Sequence, residues 1–138
     1  MEDTEIIEIL SEGYTELNGD AATEVTPLPR SGSDRRYFRF SGASGSIIGA
    51  HNANHEENEA FIGFTHHFSG KSLPVPEIYA YFPERFIYFL QDLGDDNLYT
   101  WLHKRPAIAP FDQDTIILYR KILDKLILFQ TQGIKGLN

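Results

Sequence analysis

The residues best equipped for chemistry lie in Pro29-Arg30-Ser31-Gly32-Ser33-Asp34-Arg35-Arg36-Tyr37-Phe38-Arg39-Phe40. A short polar loop with a central glycine runs at once into a basic, aromatic strand. Backbone N–H groups of such a loop can point at phosphate oxygens, and Gly32 lets the chain come close to them. Arginine suits planar, bidentate phosphate contacts. Strand alternation puts Arg35, Tyr37 and Arg39 on one face and Arg36, Phe38 and Phe40 on the other. Alone, the loop also fits an ordinary hairpin turn, and the arginines fit solvent-facing strand charges. A second feature shifts the balance. Phe89-Leu90-Gln91-Asp92-Leu93-Gly94-Asp95 reads as a strand that leaves into a hinge, at a distance that suits the first.

The elements that must position these groups follow from hydrophobic period and punctuation. Ile6, Ile7, Ile9, Leu10, Tyr14 and Leu17 predict a helix over 4–17, stopped by Asn18-Gly19-Asp20. Residues 23–29 predict a strand whose Pro27 and Pro29 limit its pairing. Two further strands, 36–41 and 46–51, flank the hairpin turn Ser41-Gly42-Ala43-Ser44-Gly45. A helix is expected over 55–68, with Ala60, Phe61, Phe64 and Phe68 as its apolar face and Glu56, Glu57 and Glu59 in its first turn. Strands at 77–82 and 85–91 come next, around the turn Pro83-Glu84-Arg85. A short helix at 96–104 and a long one at 111–131 follow, separated by Pro106 and Pro110. The long helix is apolar around most of its circumference, which predicts burial on more than one side.

The element order β-β-β-α-β-β predicts an α+β fold: a five-stranded antiparallel sheet with one packed helix, an N-terminal helix before it, and a hinge and helices after it. A parallel doubly wound sheet does not fit that order. The expected division is 1–20 for the N-terminal helix, 21–94 for the sheet domain with its hinge, and 95–138 for the helical remainder.

Composition narrows the function classes. A formal net charge of −8 argues against nucleic acid as a bulk partner, since phosphate backbones call for a basic surface. The absence of cysteine removes disulfides, thiolate metal sites and cysteine nucleophiles together. The acidic start Met1-Glu2-Asp3-Thr4-Glu5 lacks the basic opening of a signal peptide, and no apolar run approaches the roughly 20 residues that span a bilayer. A cytoplasmic protein without a membrane partner is the expectation. His51 and His55 with Glu56 or Glu59 suit a metal only if a helix starts before His51, and Asn52-Ala53-Asn54 reads as a loop, so no metal site is expected.

Ser31–Phe40, Leu73-Pro74-Val75-Pro76-Glu77-Ile78 and Gln91-Asp92-Leu93-Gly94-Asp95 together resemble the aminoglycoside phosphotransferase and choline kinase superfamily, in its branch of sugar and amino-sugar kinases. The resemblance covers roughly 22–105 and implies a protein-kinase-like small lobe that binds ATP. By that resemblance Ser31, Gly32, Ser33 and Asp34 would cover the β- and γ-phosphates. Phe38 and Ile48 would line the adenine slot. Gln91 and Leu93 would offer backbone groups to adenine, and Asp95 would reach the ribose. Glu59, or failing it Glu56, would stand for the helix glutamate that holds a phosphate-binding lysine.

The chain departs from the family in two respects. Where the third strand would carry that lysine it reads Ile48-Gly49-Ala50-His51, so the charge falls to His51, Arg36 or Arg39. The His-X-Asp-X-X-X-X-Asn loop and the later metal-binding aspartate of the large lobe do not occur in the sequence. The resemblance therefore implies ATP as ligand and a sugar-like hydroxyl as acceptor. It implies Mg²⁺ held elsewhere, and no catalytic or metal-ligating residue within these 138 residues. The chain is expected to be inactive by itself and to read as a truncated or split member. The competing expectation is a non-catalytic kinase-like module, with a second copy or partner chain meeting the 111–131 helix.

Overall fold

The computed structural model describes residues 1–105 and 112–137. They form two compact units. One comprises Met1–His66 with Pro76–Asp92; the other is built from His67–Val75 and the described residues from Leu93 on. The N-terminal helix groups with the first unit, and 67–75 groups with the second.

The first unit is an α+β fold around a five-stranded antiparallel sheet. Its strands are β1 (Glu24–Pro27), β2 (Arg36–Gly42), β3 (Gly45–His51), β4 (Ile78–Phe82) and β5 (Ile87–Gln91), in the order β1-β2-β3-β5-β4. Two helices accompany it, α1 (Asp3–Asn18) and α2 (His55–Gly70), the latter entering the chain between β3 and β4. The β2–β3 hairpin closes with Gly42 opposite Gly45, whose φ of 114° calls for glycine at that turn. The last strand begins at Ile87 rather than 85. Pro83–Arg85 forms a 3₁₀ turn and Phe86 adopts a left-handed φ of 59°, so two residues of the expected strand are spent reversing the chain.

Alternation along the strands gives the sheet two apolar faces. Phe38 and Phe40 of β2, with Ile87 and Phe89 of β5, meet Ile6, Leu10 and Tyr14 of α1. The α1 residues lie at i, i+4 and i+8, one stripe of a helix. Close approach needs small residues in both elements. A Cβ at Gly13 would stand 2.8 Å from Ile87, and one at Gly49 would stand 3.0 Å from both Leu10 and Phe40. On the opposite face Ile48, Ala50, Tyr88 and Leu90 form a second cluster with Ile62 of α2, bordered by Tyr37 and Phe61.

The buried stripe of α2 is not the expected one. Asn58, Ile62 and Thr65 are buried, while Phe64 is 44% exposed. Two polar residues lie in the stripe because each has a local acceptor. Asn58 Nδ2 donates to the Asn52 carbonyl at 2.7 Å, and Thr65 Oγ1 to the Phe61 carbonyl at 2.7 Å. Thr65 is satisfied in this way and can be buried at little cost, whereas Asn58 Oδ1 is buried without a hydrogen-bond partner among the described residues.

In the second unit α3 (Leu98–His103) is capped by Asn97, whose Oδ1 accepts the Thr100 N–H at 2.9 Å. The long helix α4 runs Gln113–Leu128 and continues as a π turn, Phe129–Gly133. Its expected start at Phe111, like Pro106 and Pro110, lies outside the described residues. Arg105 and both donors of Thr115 bond the Asp112 cap and hold its carboxyl down at about 2. His67 Nε2 lies 2.6 Å from the Gly133 carbonyl oxygen, and the Phe68 and Phe129 rings are 5.1 Å apart, which ties 67–75 to the π turn. Burial on several sides of α4 is not found. Of its residues Thr115 is buried, whereas Leu123, Leu126 and Ile127 are 53, 48 and 55% exposed.

Candidate functional site

The chain between β1 and β2 makes the candidate site. Its base is fixed by the Leu28 N–H, which donates to the Tyr37 carbonyl at 2.9 Å. Beyond that bond the segment leaves the ladder, and Ser31, Gly32, Ser33 and Asp34 are all exposed. Arg30, Ser31, Gly32, Ser33 and Asp34 line a cavity of 520 Å³ together with Arg36, His51, Ala53, Met1 and Ile6. The strand register explains the meeting. Arg36, the first residue of β2, pairs with His51, the last of β3, so both side chains stand beside the loop.

The electrostatics of this cavity are mixed. Arg36 is bound by both oxygens of Asp3, with Nη2 2.8 Å from Oδ2, and Arg30 Nη2 lies 3.4 Å from Oδ1. Hydrogen bonding to Arg36 holds the Asp3 carboxyl below the ordinary carboxylate range. His51 is 5% exposed, and burial pushes its pKa down, helped by the nearby N-terminal ammonium. It is thus a neutral imidazole at pH 7, not a substitute for a permanent lysine charge.

A depressed histidine pKa has a predictable pH signature. The unfolded chain takes up this proton near pH 6.5, while the folded chain takes it up only at lower pH. Stability is therefore expected to fall as pH drops below about 6.5, and His51→Gln should lose less over the same range. Thermal unfolding at several pH values checks this; identical pH profiles for the two proteins would rule it out.

The other candidates lie elsewhere. Phe38 and Ile48 are on opposite faces of the sheet, Phe38 fully buried under α1 and Ile48 in the cluster beneath α2, so they do not line one slot. The reason is strand parity: β2 pairs Phe38 with Gly49, which places the Ile48 side chain on the other side. Glu59 is exposed and receives the Tyr81 hydroxyl at 2.7 Å, far from the loop in the chain's topology; it holds no strand cation. With burial as the larger cause, that arrangement pushes the Tyr81 phenol up to about 12.

Glu57, itself exposed, meets a cation instead. It accepts from Asn52 Nδ2 at 3.0 Å and Asn54 Nδ2 at 3.1 Å, and lies 3.5 Å from Arg35 Nη2. A cation just before β2, Arg35, is thus paired with a carboxylate of α2, Glu57. Their pairing does not follow from the sequence, because Glu56, Glu57 and Glu59 are equivalent there. The Asn54 cap, whose Oδ1 accepts the Glu57 N–H at 3.1 Å, fixes which one meets Arg35.

Arg39 is placed by a residue that reads as solvated hinge in the sequence. Its Nε and Nη2 donate to Asp92 at 2.6 and 3.0 Å, and Ser46 Oγ donates to the same carboxylate at 2.6 Å. The Asp92 side chain is 9% exposed. The usable signal was Arg39 itself, a cation in the middle of an aromatic strand that requires a counter-charge. Gln91 ends β5 with its N–H given to the Glu77 carbonyl at 2.8 Å, which leaves that N–H committed. Leu93 is 66% exposed and Gly94 has a φ of 83°, so the chain does turn here. Asp95 is exposed.

His51 and Gln91 mark the two ends of the β3–β5 pair, since His51 opposes Ile87 and Ile47 opposes Gln91. At about 3.3 Å per residue the loop end and the exit of β5 lie roughly 13 Å apart. Among the described residues no group of three or more His, Cys, Asp or Glu is close enough to hold a metal ion, and no helix is long and apolar enough to cross a membrane.

No family profile matches this chain, and no curated protein matches it.

Proposed function

We propose that this chain is the nucleotide-binding small lobe of a kinase-like phosphotransferase that acts on a small-molecule hydroxyl such as that of a sugar or amino sugar. The observation that carries the proposal is the meeting of the loop 31–34 with Arg36 and His51 in one cavity of 520 Å³. Loop N–H groups and a guanidinium suit phosphate oxygens. The Arg35–Glu57 pair between the start of β2 and α2 adds support, as does the end of β5 at Gln91, roughly 13 Å along the sheet from His51. ATP with Mg²⁺ is the ligand this reading takes, and the residues described here hold the phosphates rather than the metal.

Binding and transfer are tested separately. Titration of ADP into isotope-labelled protein is expected to shift backbone resonances at 31–34, 36, 51 and around 91–93; shifts confined to 113–128 would refute the placement. The sequence carries no His-X-Asp-X-X-X-X-Asn, the loop that supplies the base aspartate. With ATP, Mg²⁺ and a panel of sugars, the 138-residue chain is therefore expected to release ADP more slowly than about 0.1 s⁻¹. The second reading is a kinase-like module that serves association, favoured by the exposed apolar side chains of α4. A folded chain that gives no ADP shifts would select it.

A further inference from the structure

Arg36 and Arg30 reach into the loop cavity, yet both already hold an anion. It comes from the first residue of α1, not from the loop. Asp3 meets the Arg36 guanidinium with both oxygens, and Arg30 approaches Oδ1 from the other side. The Arg36 side chain is 11% exposed while Asp3 is 39% exposed, so the cation is fixed in the wall and the carboxylate sits at the solvent side. A guanidinium fork offers the same two-bond geometry to a carboxylate and to a phosphate. A phosphate that takes this same Nη1/Nη2 edge of Arg36 has to displace the carboxylate.

Met1 and Ile6, at the start of the same helix, line the cavity, which places the first turn of α1 at its wall. That turn is held by local contacts, the Glu2 N–H donating to Glu5 Oε2 at 3.0 Å, and by the Asp3 ion pairs. Deeper along the helix Ile6, Leu10 and Tyr14 are locked in the core. The first turn can thus loosen without moving the rest of α1.

We propose that Asp3 is an internal competitor for phosphate: a polyphosphate group of a nucleotide displaces its carboxylate from Arg36 and Arg30, and the first turn of α1 loosens as it does so. The competition rests on the phosphate-covering reading of the loop and adds to it a device that sets affinity. Inorganic tripolyphosphate and ADP serve as the probes, titrated into wild type, Asp3→Asn and Asp34→Asn under identical salt. Asp34→Asn removes one charge from the same cavity without releasing either arginine.

Asp3→Asn is expected to bind tripolyphosphate roughly fivefold more tightly than wild type, the size that loss of an exposed ion pair supports, with a smaller gain for Asp34→Asn. In wild type, tripolyphosphate should speed hydrogen exchange at the Ile6 and Ile7 amides, a readout that needs no variant. Tight tripolyphosphate binding without ADP binding would keep the competition and remove the adenine part of the functional reading. Equal affinities for wild type and Asp3→Asn, with shifts at 31–34, would overturn the competition and leave the phosphate reading standing. An equal gain from Asp34→Asn would overturn it in favour of bulk charge, and no binding by any of the three proteins would overturn both.

Discussion

Phe89→Ala is expected to destabilise the sheet unit by about 3–5 kcal/mol, the cost of truncating a buried phenylalanine that its surroundings cannot replace. Phe89 is fully buried in β5, with the rings of Phe40, Phe82 and Tyr14 at 5.9, 6.4 and 6.5 Å. Its ring also supports the close seat of α1, lying 3.1 Å from the Cβ positions of both Gly13 and Gly49. Collapse around the vacancy would need α1 and β3 to move together, and both are fixed by other core residues. Against a total stability of about 5–15 kcal/mol for an ordinary domain, the loss is large enough to leave a substantial unfolded fraction. Urea unfolding monitored by circular dichroism measures it. A loss below about 1 kcal/mol would mean that the site relaxes freely, contrary to the packing described. Phe89→Leu, which keeps most of the volume, should cost about 1–2 kcal/mol.

The same cluster shows why much of the fold could be read from the sequence. Successive side chains of a strand point to opposite faces, so the partition of Arg35, Tyr37 and Arg39 from Arg36, Phe38 and Phe40 needs no tertiary information. Gly19 and Gly45, with φ of 85° and 114°, mark the ends of elements through their own backbone freedom. The errors have a common physical source: groups whose neighbours come from a distant part of the chain. Phe38 and Ile48 look alike as apolar strand residues, but cross-strand parity sends them to opposite faces. Asn58 and Thr65 look like surface residues of α2 until their carbonyl acceptors are known. Asp3 reads as a favourable helix start, and its bond to Arg36 spans 33 residues of sequence. Of the candidate site, the loop, Arg36 and His51 line one cavity, brought there by the pairing of Arg36 with His51. The counter-ions of the arginines do not follow from spacing, because each arginine takes a carboxylate from a different element: Asp3 of α1, Glu57 of α2 and Asp92 beyond β5.

Asp92→Ala is expected to cost about 2–4 kcal/mol, nearly as much as the loss of a core aromatic, even though the residue reads as part of a polar turn. A carboxylate that is 9% exposed and accepts two guanidinium bonds and a hydroxyl has been taken out of water on the strength of those bonds. Its removal strips the Arg39 guanidinium, 20% exposed, of its carboxylate while it remains in the low-dielectric edge of the sheet. Breaking a fully buried pair costs about 3–5 kcal/mol, and the residual exposure of Arg39 lowers the figure here. The bonds also join β2, β3 and the end of β5, since Arg39, Ser46 and Asp92 come from those three places. The exit of β5 towards Leu93 and Gly94 should therefore lose protection first, seen as faster hydrogen exchange at Leu90 and Gln91 than at Phe38. A double substitution, Arg39→Met with Asp92→Leu, removes both charges and should recover most of the stability, because no charge is then stranded. If Asp92→Ala costs less than about 0.5 kcal/mol, the carboxylate is no more than a surface partner. If the double variant is no better than the single one, the cost lies in lost strand pairing rather than in a stranded charge.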